Sequence, residues 1–530
     1  MNEAAGKPAA TLMLQGTASD VGKSLLTAAL CRIFKQDGYR VAPFKSQNMS
    51  LNSYVTPDGK EIGRAQGMQA DACGIPATTD MNPILLKPKK DMASQVVVHG
   101  KPIGDWDARA YRERYLPLAE GIVKEALGQL RGEYEIVVLE GAGSPAEVNL
   151  KDRDIVNMRL ASWADAPVLL VADIDRGGVF ASVVGTMEIL EPEERDRVHG
   201  VLINKFRGDA TLLKPGLEWL ERRIGKPVLG VIPYLDGLTL EDEDSASLDG
   251  KSRAPSATAA AEVRGREQPL DIAVIRLPRI SNFTDFDPLA REPGVTVRYV
   301  RSAKEWGSPD AVILPGSKNT VEDLRFLRES GLEEQLLRHI GSGGSAAGIC
   351  AGYQMMGCRL LDPDLVESDV PELPGLGVFP METVFARDKR TEQVVGAVAA
   401  EELGTPGTPI EGYEIHMGRT RFLEPVVSPF RIRRRRLPET PEAYHADGVV
   451  TAGGRLWGTY VHGVFDNDEF RRGWLNGLRQ GKGMAVPENA VSYRALRESS
   501  FDRLADHVRQ HADFDAIYEI LWRGMARADG

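Results

Sequence analysis

Short apolar runs alternate with amphipathic segments along the first half of the chain. The runs have the length and β-branched content of buried parallel strands, and they occupy residues 11–16, 135–141, 167–173, 200–205 and 227–233. Helical periodicity appears between them, at 23–36 and 112–130. This alternation predicts a doubly wound α/β domain over residues 1–240.

The second half of the chain repeats the pattern after a break. Residues 241–269 are polar and then rich in Ala, Ser and Arg, which predicts a linker. A second α/β domain is predicted over 270–480, followed by a helical tail over 481–530. Its candidate strands are residues 271–277, 295–300, 311–316, 345–350 and 458–463.

Composition narrows the class of protein. The 530 residues carry a net charge of -11, which argues against general nucleic-acid binding. The basic run at 431–436 is interpreted as a solvated strand or loop edge. No apolar run approaches the ~20 residues of a membrane helix, so we expect a cytoplasmic protein with no membrane partner. The four cysteines form no C-x-x-C pair, which argues against a zinc site. The oligomeric state stays open.

A phosphate-binding loop follows the first predicted strand. The stretch "GTASDVGKS" leads into a helix, so backbone N–H groups and the helix N-terminus favour anionic oxygens. We expect this loop to bind ATP through Gly16, Thr17, Gly22, Lys23 and Ser24, with Lys23 at the β- and γ-phosphates and Ser24 on Mg²⁺. The loop is one residue longer than the simplest pattern.

Three further polar residues lie at predicted strand ends of the first domain. Glu140 precedes two glycines in "VVLEGAG" and is a candidate Mg²⁺ ligand. Lys45 in "APFKSQN" is placed to stabilise charge on a transferred phosphoryl group. Asn204 ends another strand, where a nucleobase is expected to bind.

Cys350 occupies a predicted sharp turn in "GICAGYQMMG". A cysteine between glycines, at the junction of a strand and a helix, has the pattern of a nucleophile elbow, and a helix N-terminus favours the thiolate. His462 in "GTYVHGVF" is the best-placed base, with His416 in "GYEIHMG" second. The backbone N–H groups of Gly316 and Ala351 are candidate oxyanion donors.

Several longer motifs carry a family resemblance. The second half resembles class I glutamine amidotransferases in "PGSKNT", "GICAGYQ" and "YVHG". The phosphate loop resembles that of dethiobiotin synthetase. The first half carries "FKSQNMSLNSYVTPDGKEIGRAQ", "DMNPILLKP", "NLKDRDIVNM" and "DIDRGGVFAS". Together these motifs resemble the cobyric and cobyrinic acid amidating enzymes over essentially the whole chain outside the linker.

The resemblance implies a specific reaction. Ammonia released from L-glutamine at Cys350 would attack an acyl phosphate made with ATP. The acids would be the four peripheral carboxylates (b, d, e and g) of adenosylcobyrinic acid a,c-diamide, and the product adenosylcobyric acid. The resemblance also suggests Asp154 as a substrate-side residue. Many amidotransferases have a glutamate two residues after the histidine, but here Val464 stands there. Cys350 and His462 would then act as a dyad or use another orienting group, for which Glu414 is a hypothesis.

Two alternatives remain open at this point. The nearer one is a cobyrinic acid a,c-diamide synthase, which performs the same chemistry on two other carboxylates, although "KSQNMSLNS" argues against it. The more distant one is a non-catalytic ATPase switch fused to a degenerate amidotransferase. The presence of both Cys350 and His462 argues against this regulator.

Overall fold

The computed structural model describes residues 8–90, 93–107, 116–241, 248, 269–435, 443–488 and 491–526. The predicted linker lies almost wholly outside these described residues, as does the last residue of the basic run. The chain divides into two compact units. The first contains residues 1–50, 61–240 and 497–530, and the second contains residues 51–60 and 241–496.

The strands are numbered in chain order. They are β1 Ala10–Gly16, β2 Val41–Phe44, β3 Gln47–Met49, β4 Ser53–Val55, β5 Glu61–Gly63, β6 Ile84–Lys90, β7 Ala93–Val98, β8 Lys101–Asp107, β9 Ile136–Glu140, β10 Val168–Asp173, β11 Val198–Phe206, β12 Val228–Pro233, β13 Leu270–Ile275, β14 Val295–Val300, β15 Ala311–Leu314, β16 Ser345–Ile349, β17 Arg359–Leu361, β18 Glu372–Pro374, β19 Met381–Val398, β20 Pro409–Phe422, β21 Phe430–Arg434, β22 His445–Asp447, β23 Val449–Thr451 and β24 Leu456–Thr459.

The α-helices are numbered in the same way. They are α1 Lys23–Gln36, α2 Arg64–Cys73, α3 Leu116–Glu133, α4 Met158–Ala164, α5 Val179–Ile189, α6 Pro192–Arg197, α7 Lys214–Ile224, α8 Asp287–Ala290, α9 Thr320–Glu329, α10 Leu332–Gly341, α11 Ala351–Met355, α12 Asp468–Gly481, α13 Tyr493–His511 and α14 Phe514–Ala526. Helix α1 has the bounds that the sequence pattern predicts.

The first unit is built on a parallel sheet with strand order β12-β11-β10-β1-β9-β2. Its inner strands are buried along their whole length, as their continuous apolar runs require. From β1 the chain passes to β2 at one edge of the sheet and then returns to β9, next to β1. Strands β10, β11 and β12 follow on the other side of β1. The doubly wound α/β prediction is therefore confirmed, and the carboxyl ends of β1 and β9 lie side by side where ligands bind in such sheets.

Helix α14 and the part of α13 from Arg497 onward belong to the first unit. Phe501 of α13 and Leu521 of α14 join the apolar core formed by β1 and α1. The Tyr518 ring packs on Phe34, with ring centroids 5.5 Å apart. The C-terminal helices therefore cover one face of the parallel sheet of the first unit.

The second unit has a central sheet with order β14-β13-β15-β16-β24-β23, parallel except for β23. The predicted strand 458–463 is partly wrong, because β24 ends at Thr459 and the following residues form a loop. A further sheet, formed by β17 to β22, was not predicted. Its two long strands β19 and β20 carry many charged residues and lack a continuous apolar run.

No helix in the described part of the chain is long and apolar enough to cross a membrane.

Candidate active site

Cys350 lies in the turn between β16 and α11. Its backbone has φ 52° and ψ -108°, a conformation that a non-glycine residue seldom adopts and that costs about 1–3 kcal/mol. Gly352 makes the turn possible, because a Cβ at this position would lie 2.0 Å from the Leu314 carbonyl oxygen. The strained residue is thus the cysteine itself, which projects from the end of a buried strand.

His462 reaches the cysteine because β16 and β24 are parallel neighbours. Ile349 pairs with Thr459 in their register, and the Cys350 N–H donates to the Thr459 carbonyl at 2.8 Å. The His462 side chain is fully buried. The two residues therefore emerge from adjacent strand ends, as the order of the sheet dictates.

Asp285 accepts a hydrogen bond from the His462 ring. Its Oδ2 lies 2.7 Å from His462 Nδ1, and its Oδ1 accepts from the Gly463 N–H at 3.1 Å. Asp285 is buried in a 3-10 turn over Phe283–Phe286. A carboxylate on Nδ1 fixes the ring orientation and leaves Nε2 for the thiol.

The environment of His462 favours its charged form. Burial lowers the pKa of His462, but the Asp285 carboxylate and the charge and hydrogen bond of Cys350 outweigh it and raise that pKa to about 10. The Tyr413 ring also stacks on the imidazole, with centroids 5.2 Å apart. At neutral pH the imidazole is therefore a proton donor directed at the cysteine.

The loop after β15 lies against the His462 side chain and against the turn that carries Cys350. The Gly352 N–H donates to the Pro315 carbonyl at 3.0 Å, which ties this loop to the cysteine turn. A Cβ at Gly316 would lie 2.9 Å from His462 Cε1, so only glycine fits there. Ala351 is the first residue of α11. The two predicted oxyanion donors thus lie on the two segments that meet at Cys350.

A cavity of about 500 Å³ lies beside this turn in the second unit. Tyr353 and Tyr460 line it, three residues after the cysteine and two before the histidine. Glu414 and His416 also line it, and the Ile415 carbonyl between them lies 3.4 Å from Cys350 Sγ. Its charged lining includes Arg390, Arg434 and Asp447. The cavity combines cationic and anionic groups near the thiol.

The phosphate loop of the first unit joins β1 to α1. Gly22 has φ 95° and precedes the first helical residue, Lys23. The Lys23 ammonium donates to the carbonyls of Ala18 at 3.0 Å and Gly143 at 3.1 Å. A side chain at Gly16 would meet the Lys23 Nζ at 2.8 Å. The lysine is folded over the loop, where anionic oxygens would replace carbonyls as its acceptors.

Glu140 is the centre of a buried polar cluster at the end of β9. Its Oε1 accepts from Ser24 Oγ at 2.8 Å and from Lys45 Nζ at 2.9 Å, and its Oε2 accepts from Gln69 Nε2 at 2.6 Å. Among the described residues, no group of three or more His, Cys, Asp or Glu is arranged to hold a metal. Any cation here would rely on Ser24, Glu140 and phosphate oxygens.

The two remaining predicted residues have local partners. The Asn204 side chain donates to the Val21 carbonyl at 2.8 Å, which ties the phosphate loop to β11. The Asp154 carboxylate accepts from the N–H groups of Val156, Asn157 and Arg159 at 2.8, 2.8 and 3.1 Å. Asp154 therefore organises the backbone before α4.

Comparison with known proteins assigns both units. Residues 12–247 match the CobQ/CobB/MinD/ParA nucleotide binding domain, and residues 271–470 match the CobB/CobQ-like glutamine amidotransferase domain. Cobyric acid synthase of Desulforamulus reducens is 50% identical over 530 residues, covering 98% of this chain and 99% of that protein. Cobyric acid synthase of Dehalococcoides mccartyi (strain CBDB1) is 51% identical over 519 residues, covering 97% of this chain and 99% of that protein. The chain belongs to the cobyric acid synthase family.

Membership in the cobyric acid synthase family makes the chain a ligase that contains a glutamine amidotransferase domain and acts in cobalamin synthesis. The predicted enzyme class is therefore confirmed, as is the resemblance on which it depends. The non-catalytic regulator is ruled out by the same finding. Glutamine is a substrate, and the nucleotide-binding domain indicates the use of ATP.

The Glu414 hypothesis is wrong. Glu414 Oε2 pairs with Arg390 Nε at 3.0 Å and Oε1 lies 3.6 Å from His416 Nε2, whereas Asp285 contacts the Nδ1 atom of His462. Sequence reasoning missed Asp285 because it lies 177 positions before the histidine. It also missed Gln69, whose only signal was a polar residue on the buried face of α2.

Proposed function

We propose that this chain converts adenosylcobyrinic acid a,c-diamide to adenosylcobyric acid by amidating the b, d, e and g carboxylates. Glutamine supplies the nitrogen at Cys350, and ATP activates each carboxylate as an acyl phosphate in the other unit. A carboxylate is a poor acyl donor, and most ammonia is protonated at neutral pH. Both partners must therefore be activated before an amide forms.

Glutamine hydrolysis is assigned to Cys350, His462 and Asp285. The Cys350 sulfur attacks the side-chain amide carbon, and the N–H groups of Gly316 and Ala351 stabilise the oxyanion. The carbon–nitrogen bond breaks as His462 Nε2 donates its proton to the leaving nitrogen, which departs as ammonia. Water then hydrolyses the thioester to glutamate. Asp285 acts through His462 as a positioning residue.

The cavity beside Cys350 is proposed to bind glutamine. An amino acid presents a carboxylate and an ammonium group at its α-carbon, and these need a cation and an anion at short range. Arg390 and Arg434 supply cations, while Glu414 and Asp447 supply carboxylates. Burial beside Glu414 raises the pKa of Asp447 to about 7. An incoming ammonium group would favour the ionised form of Asp447.

ATP is proposed to bind at the loop from Gly16 to Ser24. Lys23 would stabilise the β- and γ-phosphates, and Lys45 would stabilise the charge that develops during phosphoryl transfer. Ser24 and Glu140 fit Mg²⁺ because a hydroxyl and a carboxylate are hard oxygen donors and lie 2.8 Å apart. Mg²⁺ would neutralise phosphate charge there. Asn204, near the end of β11, is proposed to contact the nucleobase, and its side chain also donates to the Val21 carbonyl in the loop.

Acyl transfer requires the corrin carboxylate to approach the γ-phosphate. A carboxylate oxygen attacks phosphorus, ADP leaves, and the resulting acyl phosphate is attacked by ammonia with loss of phosphate. Asp154 remains a proposed substrate-side residue, since it shapes the backbone that follows β9. Its role would be to position residues 156–159 rather than to touch the corrin directly.

The observation that carries this proposal is the presence of both half-sites in one chain. The Cys350–His462–Asp285 geometry suits amide hydrolysis, and the Ser24–Glu140–Lys45 cluster suits nucleotide binding. To test it, the full chain would be incubated with MgATP, glutamine and adenosylcobyrinic acid a,c-diamide. Mass spectrometry of the corrin product should count four exchanges of hydroxyl for amino groups.

A parallel incubation with cobyrinic acid separates the rival function. A cobyrinic acid a,c-diamide synthase would add two amides to cobyrinic acid and none to the a,c-diamide. That pattern would contradict the proposed substrate while leaving both half-sites in place.

A further inference from the structure

Residues 51–60 have an unusual position in the fold. This segment, "LNSYVTPDGK", belongs to the second unit, although the residues before and after it belong to the first. It begins six residues after Lys45, which pairs with Glu140 in the phosphate-binding cluster. The chain therefore passes from the candidate ATP site into the amidotransferase unit and back.

Two hydrogen bonds tie this segment to the loop that carries Asp285. Asn52 Oδ1 accepts from the Phe283 N–H at 3.1 Å, and Asn282 Oδ1 accepts from the Ser53 N–H at 2.8 Å. All of these groups are buried. Asn282 has a φ of 51°, in the left-handed region that asparagine adopts more readily than most other residues, and its side chain is held there by the Ser53 N–H.

The bond from Ser53 also fixes the orientation of the Asn282 amide. With Oδ1 held by Ser53, Nδ2 faces His462 Nε2 at 3.4 Å. A rotated amide would present Oδ1 to His462 and accept the Nε2 proton in place of Cys350. Ser53 therefore keeps the imidazole proton available to the cysteine.

The same segment packs against the other support of the catalytic pair. Val55 forms a buried apolar cluster with Tyr413 and Ile415. Tyr413 stacks on His462, and the Ile415 carbonyl lies beside Cys350 Sγ. The Val55 carbonyl accepts from Gln393 Nε2 at 2.8 Å, which anchors the segment.

We propose that residues 51–60 act as a coupling strap, which makes the rate of glutamine hydrolysis depend on occupancy of the ATP site. A ligand that changes the partners of Lys45 would shift the covalently linked strap. The strap would then alter the alignment of Asn282, Tyr413 and thereby His462. This inference rests on the proposed function, and its physical content is a coupling free energy between two sites.

The test measures glutamate release by the full chain with glutamine alone, and again after addition of MgATP and adenosylcobyrinic acid a,c-diamide. Wild type should be stimulated by about 5- to 150-fold, the usual range for coupled sites. Val55→Ala and Asn52→Ala should lose most of this stimulation. Synthesis from ammonium chloride should change by less than about 2-fold in both variants, since it bypasses Cys350. Asp58→Asn, at the exposed tip of the same segment, is the matched control and should behave as wild type.

The coupling is overturned if MgATP and adenosylcobyrinic acid a,c-diamide leave the wild-type rate of glutamine hydrolysis unchanged. It is also overturned if Val55→Ala and Asn52→Ala are stimulated as strongly as wild type. An equal loss of ammonia-dependent synthesis in both variants would also overturn it, because the strap would then be a purely structural element. If wild type makes no amidated corrin from either nitrogen source, the proposed function fails, and the inference that depends on it fails too.

Discussion

Replacing Asp285 by asparagine should impair glutamine hydrolysis without unfolding the chain. The bond from His462 Nδ1 to Asp285 Oδ2 is 2.7 Å long and buried. A charge-assisted hydrogen bond of this kind contributes about 1.5–3 kcal/mol. With about 1.4 kcal/mol for each factor of ten in rate, Asp285→Asn should lower kcat for glutamine hydrolysis by about 10- to 150-fold.

The substitution should also change the pH profile. Asp285 helps to raise the pKa of His462 to about 10, so its loss should move the alkaline limb of glutaminase activity to lower pH. The assay is glutamate release between pH 6 and the highest pH at which the protein stays folded. Glu414→Gln is the matched control, since this buried carboxylate pairs with Arg390 and His416. It should alter KM for glutamine and leave the alkaline limb in place.

Ammonia-dependent synthesis by Asp285→Asn should stay near the wild-type rate, because that reaction needs no imidazole proton. The reasoning would be refuted by a folded Asp285→Asn protein with glutamine hydrolysis within about 2-fold of wild type and an unchanged alkaline limb. If the alkaline limb moved in Glu414→Gln and not in Asp285→Asn, Glu414 rather than Asp285 would be the residue that orients His462.

Three further outcomes are expected. Lys23→Ala should abolish amidation with either nitrogen source while glutamate release persists at the rate seen without MgATP, and substantial synthesis would refute the phosphate-loop assignment. Gly352→Ala should lower the free energy of unfolding in denaturant by about 1–3 kcal/mol or more, because the added Cβ would clash with the Leu314 carbonyl oxygen. Gly341→Ala is the control, since a Cβ added there would meet no neighbouring atom within 4 Å. The raised pKa of His462 implies stability that is full below pH 6.5 and lost as pH rises through about 10; a flat stability profile over that interval would contradict it.

The sequence predicted those parts of the site that depend on local pattern. The turn at Cys350 and the loop before Lys23 are marked by glycines within a few residues, and each lies between a strand and a helix with clear periodicity. His462 could be placed because it follows an apolar run. That run extends beyond the strand, so the predicted strand was too long.

The rest of the site depends on contacts between distant segments. Asp285 lies in "SNFTDFD", a short polar stretch with no periodicity, and its contact with His462 arises only when the central sheet forms. Asn52 and Val55 occur in a region that sequence reasoning assigned to the first domain. Only the compact units of the fold show that they pack with Tyr413 and the Asp285 loop.

Glutamine hydrolysis and carboxylate amidation are proposed to occur at two separable half-sites of one chain, with ammonia as the product of the first and a substrate of the second. The decisive variant is Cys350→Ala, assayed for amide groups added to adenosylcobyrinic acid a,c-diamide with glutamine and, separately, with ammonium chloride. We expect no product with glutamine and four added amides with the ammonium salt. Loss of both activities in a folded variant, or retention of glutamine-dependent synthesis, would contradict it.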